Sequence, residues 1–198
     1  MALYKMTPRL SKSFFIVALR HFFKTHPTYT WDDDQTKTKI LIQSDMAELQ
    51  RYKNLDASVV VMNNGVSFDN KTIGNLYEWD SSKLLSEPLT VQYLVEGTMN
   101  TFCICQGRGA SEELAFDVSQ YLISSRLWAA KMMQFQHITM PVISPCSILR
   151  REGFDNLYNT PVSLSYSFVI RQLISPVDLP GELLSEVQVE AEADAQTV

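Results

Sequence analysis

Glycine (7 residues), proline (8) and cysteine (3) are all scarce in this 198-residue chain. The first two counts exclude collagen-like and low-complexity architectures, and the third excludes a disulfide-stapled scaffold. Long apolar runs are missing too. The most apolar stretches, 14–19 and 114–130, are too short or too polar to span a bilayer, and the first twelve residues lack the apolar core of a signal peptide. Histidine occurs three times, at His21, His26 and His137, with no spacing that completes a zinc set with Cys103, Cys105 and Cys146. Nor is there a Gly-x-Ser-x-Gly elbow or a His-Glu-x-x-His helix. The expectation is therefore no catalytic residue, no metal, no cofactor and no membrane.

What is present is 45% hydrophobic and 11% aromatic residues, enough for one buried core at this length. Charge is uneven. The segment 176–198 holds six acidic residues and no Lys or Arg; removing those six from the total of −5 leaves +1 on residues 1–175. A near-neutral body lacks the basic footprint of a nucleic-acid binder. The chain thus reads as one domain over 1–175 followed by an acidic, solvated tail over 176–198.

Periodicity supplies the elements. Thr7-Pro8 reads as a cap with proline at the first helical position, and Leu10, Phe14, Val17, Ala18 and Phe22 as the apolar face of the helix that follows. His21 reads as half-buried beside that face, and Pro27 stops the helix. Asp32, Asp33 and Asp34 read as a solvated turn. Strands are expected at 38–43 and 57–62, a helical turn at 45–53, and a turn at Asn63-Asn64-Gly65. The alternating run 89–106 is either one long strand or two strands joined near Gly97, and it places Cys103 and Cys105 on one face as buried reduced thiols. Ser111 reads as the cap of the main helix, with Glu112 and Glu113 in its first turn and Leu114, Val118, Tyr121, Leu122, Ser125 and Ala129 on one face to about Met133. His137 then caps its C-terminus. Pro141 and Pro145 break an edge strand, and 162–173 alternates as a full strand. The sum is an α+β fold: a mainly antiparallel sheet packed with two helices, plus a long extended loop.

That loop, Val66–Glu87, exceeds the usual connection length. Its Phe68, Ile73, Tyr77 and Trp79 are the candidate interaction residues, since such side chains dominate interface energetics. The turn from Gly107 to Ser111 is the one feature a phosphate could use, but it lacks the Walker and dinucleotide spacings.

The layout resembles the tail-terminator and tail-completion (neck) proteins of tailed bacteriophages. The likeness rests on the capped helix 11–24, the strand pair 39–43 and 58–62, and the block 89–174. In that block a strand, an acidic-started helix, a proline-broken strand and the final run Pro161-Val-Ser-Leu-Ser-Tyr-Ser-Phe follow one another. The resemblance implies a virion protein assembled in the host cytoplasm. It implies a homo-oligomeric ring, a hexamer, that caps the tail tube or sheath and meets the head–tail connector, with DNA passing through its lumen unbound. Two other readings stay open: another virion ring, of head completion or baseplate, and a small ligand-binding or enzyme domain using the Gly107–Ser111 turn.

Overall fold

The computed structural model describes residues 8–34, 36–44, 57–69, 89–149 and 157–174. The chain divides into two compact units, Met1–Asp69 with Val95–Val169 and Asn70–Leu94 with Ile170–Val198. The side-chain contacts below belong to the first.

Among the described residues, two helices lie with a seven-stranded mixed sheet, an α+β fold. The elements are α1 (Pro8–Phe23), β1 (Ile40–Gln43), β2 (Ala57–Asp69), β3 (Leu89–Cys105), α2 (Arg108–Met133), β4 (His137–Ile138), β5 (Val142–Ile143), β6 (Ser147–Leu149) and β7 (Leu157–Ile174). The sheet runs β1-β2-β3-β7-β4, and β5 and β6 also pair with β7. Strands β4, β5 and β6 are antiparallel to β7, whereas β1 is parallel to β2, with Ile40 beside Ala57 and Ile42 beside Val59.

Alternation explains the long strands. Val95, Met99, Thr101, Cys103 and Cys105 of β3 are buried, as are Val162, Leu164, Tyr166 and Phe168 of β7. Between those positions, over 98–100 and 163–165, lie polar side chains that pair across the two strands, whereas nearer the end of β3 the intervening Ile104 is buried as well. Ser163 donates to Asn100 Oδ1 at 2.8 Å, and the Thr98 and Ser165 hydroxyls are 3.3 Å apart. The order of these pairs makes β3 and β7 antiparallel. Strand β3 continues through Gly97 unbroken because Tyr166 lies over that position: a Cβ there would stand 2.6 Å from the tyrosine ring. The Tyr166 hydroxyl reaches on to Asn63 Oδ1 of β2, at 3.3 Å. One aromatic side chain thus bridges three strands.

Several expectations need correction. Asn63-Asn64-Gly65 is no turn; it lies inside β2, where Gly65 at φ 142° takes a backbone conformation other residues avoid. Strand β2 also absorbs Val66–Asp69, the start of the expected loop. The apolar face of α1 is out of phase: Ser11, Phe15, Ala18, Leu19 and Phe23 are buried, while Val17 is 64% exposed and His21 is exposed. Ser111 does not cap α2. The helix starts at Arg108 behind an extended Gly107, so Glu112 and Glu113 fall beyond its first turn, and Glu112 pairs with Arg108 at 3.0 Å. His137 caps nothing either. It belongs to β4, opposite Ser167, and the helix ends on Gln134 in the left-handed region, its N–H donating to the Ala130 carbonyl. The expected helical turn at 45–53 lies outside the described residues.

Candidate interaction surface

The buried row of α2 falls where its spacing predicts. Leu114, Ala115, Val118, Leu122 and Ala129 are at most 4% exposed. Ser111 joins that row because its hydroxyl has work inside: Oγ donates to the Cys103 carbonyl at 2.8 Å and accepts from Thr160 Oγ1 at 2.8 Å. A polar side chain in the core is tolerable when its hydrogen bonds are made there. Neither glycine of the Gly107–Ser111 turn is forced by a close approach. A Cβ on Gly109 meets nothing within 4 Å, and one on Gly107 meets only Ala110 Cβ at 3.9 Å.

Opposite the buried row, α2 is also apolar. Phe116 (56% exposed), Ile123 (45%) and Leu127 (76%) stand on its outer side. Exposed apolar side chains also occur along the proline-broken edge of the sheet, at Met140, Val142, Ile143 and Ile148, with Val142 and Ile143 on opposite faces of β5. Here β5 and β6 are only two and three residues long, and the links on either side of β5 still bond β7: Thr139 N–H donates to the Ser165 carbonyl, and Ser144 N–H to that of Pro161. Contiguous exposed apolar side chains rimmed by polar ones mark protein-interaction surfaces. Sequence reasoning missed the α2 row because the same helix needs an apolar inner face. The broken edge itself was signalled by Pro141 and Pro145.

Of the four candidate loop residues, Phe68 has its backbone in β2. Ile73, Tyr77 and Trp79 lie outside the described residues.

One polar cluster escaped the sequence altogether. His26 Nε2 is 3.3 Å from Asp117 Oδ2 of α2, and His26 Nδ1 accepts the backbone N–H groups of Thr28 and Tyr29. Both ring nitrogens are therefore engaged within the chain, which makes this a pin between the turn after α1 and α2. Tyr29 stacks on the imidazole and hydrogen-bonds the Cys105 side chain. Trp31 completes the turn, with Arg20 and Lys24 each 5.2 Å from its ring centre. The three aspartates form the expected solvated turn: Asp34 N–H donates to Asp32 Oδ1, and Thr36 donates to Asp34. Cys103 and Cys105 are buried and Cys146 is half-buried, and none of the three is in a disulfide. Among the described residues no group of three His, Cys, Asp or Glu side chains could hold a metal. No described helix is long and apolar enough to cross a membrane.

Burial, followed by the neighbouring Cys105 thiol, pushes the Tyr29 phenol up to about 12, and burial also raises Tyr121 and Tyr166. The sign follows from linkage. These phenols hold their protons in the folded chain to a higher pH than in the unfolded one, where release occurs near ~10. Their share of stability is complete below that pH and is lost as pH rises through the raised values, about 12 for Tyr29. A tyrosinate absorbance titration should show a late fraction whose ionisation accompanies unfolding. Ionisation of all tyrosines together near ~10, with circular dichroism unchanged, contradicts this.

Compared with models of known families and with curated proteins, the sequence matches none. The functional reading therefore rests on the fold and its surfaces.

Proposed function

We propose that this chain is a structural virion protein of the tail-terminator or neck type, a subunit of a ring that covers the end of a tail tube and joins it to the head. The observation that carries the reading is the apolar, proline-broken sheet edge. Exposed Met140, Val142, Ile143 and Ile148 suit side-chain contact with another subunit better than solvation, while strands of two and three residues limit main-chain pairing at this edge. Contact of this edge with the opposite edge, β1, of the next copy is head-to-tail, and a head-to-tail contact must close into a ring or grow into a filament. The order of helices and strands supports the same reading through the resemblance of its layout. The mechanism is binding: covering the tube end removes the surface on which the next tube subunit would add. A residue balance of +1 over 1–175 suits a lumen that passes DNA without holding it by phosphate contacts.

The proposal assigns partner recognition to the 66–87 segment, with Phe68, Ile73, Tyr77 and Trp79 as anchors. Trp79→Ala should leave monomer melting nearly unchanged and weaken assembly, measured as melting and particle size on one sample. A large melting loss with intact assembly contradicts the assignment. To test the edge, Val142→Asp should abolish ring formation without unfolding the subunit, because Val142 is 63% exposed. Rings unaffected by Val142→Asp contradict the edge contact.

A further inference from the structure

We infer that the outer face of α2 is a self-complementary docking surface for the same helix of a second copy, running antiparallel about a two-fold axis. This contact is separate from the edge contacts of the proposed ring. Phe116, Gln120, Ile123 and Leu127 are all exposed and recur at spacings of four, three and four, the seam spacing of paired helices. The charges commit the seam to one occupant. Set Gln120 of one copy opposite Ile123 of the other in antiparallel register. Phe116 then faces Leu127, and one turn further out Glu112 faces Lys131. Glu112 and Lys131 are both exposed, and Glu112 also pairs with Arg108 of its own chain at 3.0 Å, one turn back along the helix. Two-fold symmetry makes every pairing occur twice, so Gln120 and Ile123 meet at the centre, Phe116 and Leu127 flank them, and opposite charges meet at both ends. A parallel pairing instead stacks Glu112 on Glu112 and Lys131 on Lys131. The antiparallel order also opposes the two helix dipoles favourably.

One helix pair covers less than the roughly 1,200–2,000 Å² of a stable protein interface, so the contact is a reversible one that adds to other assembly contacts.

Sedimentation and disulfide trapping on the full chain test it, with Cys146→Ser as background because Cys103 and Cys105 are buried. Leu127→Glu, at a site 76% exposed, should fold normally and weaken this association about tenfold or more. Lys131→Glu alone should weaken it a few-fold at low salt, and the double swap Glu112→Lys with Lys131→Glu should restore it. On mild oxidation, a mixture of Phe116→Cys and Leu127→Cys chains should cross-link between copies. Neither variant should cross-link with itself, since like positions then lie about 16 Å apart along the pair. A ring held by the sheet edges survives Leu127→Glu, so failure here is distinguishable from failure of the ring. The inference is overturned if Leu127→Glu changes no mass, as it would be were the face covered by the acidic chain end or a foreign protein. Self-cross-linking of either cysteine variant, or a charge swap that fails to rescue, overturns it equally.

Discussion

Val118→Asp is expected to remove a large share of the folding stability and lower the melting temperature steeply. Val118 is fully buried between Leu114 and Leu122 on the inner row of α2, and each of the three is at most 4% exposed. An aspartate there must either keep an unpaired charge away from water or take up a proton, and it also loses the apolar contacts of the valine. A loss of about 3–5 kcal/mol is the scale for an uncompensated buried charge, against a total stability of about 5–15 kcal/mol for a domain. Glu113→Gln is the matched control. Glu113 is exposed and lies beyond the first turn of the helix, so its change should stay within a few tenths of a kcal/mol. Thermal melting of the two variants decides the point. Comparable damage from both means that the helix does not pack on its inner row.

Gly97→Ala should have the next largest effect. A Cβ at this position stands 2.6 Å from Cζ and Oη of Tyr166, closer than real contacts allow, and the ring is 1% exposed with little room to move. Phe135 and Phe168 pack near it, with ring centres at 5.3 and 6.1 Å. Overpacking of this kind costs about 1–3 kcal/mol, and a displaced ring also loses its reach to Asn63. A double-mutant cycle isolates the cause. Gly97→Ala combined with Tyr166→Val should be less destabilised than the two single losses together, because the valine removes the clash. Strict additivity in denaturant melts contradicts the bridging role given to Tyr166.

Much of this architecture was legible because its signals are local and periodic. The alternation of β7 and the inner row of α2 each bury one face, and the side-chain period determines which. In α1 the period identified the helix but not its phase. Phe14, Val17 and Phe22 compete with Phe15, Leu19 and Phe23 for the core, and the buried side includes Ser11, which hydrogen-bonds the Tyr166 hydroxyl. That bond joins residues far apart in the chain, so no local pattern carries it. Ser111 is similar: as a serine ahead of two glutamates it looks like a cap, but its bonds to Cys103 and Thr160 pull it inside. The His26–Asp117 pin depends on the turn after α1 meeting α2. The exposed row of α2 was masked by the inner row, since a helix apolar on both sides loses the contrast that marks a surface.

The most direct test of the proposed ring is the native mass of the full chain across a range of concentrations, alone and with assembled tail particles, paired with particle imaging. The account predicts closed rings of six copies seated at the tube end. A strictly monomeric mass in both settings, with no density for the chain on assembled particles, would contradict it.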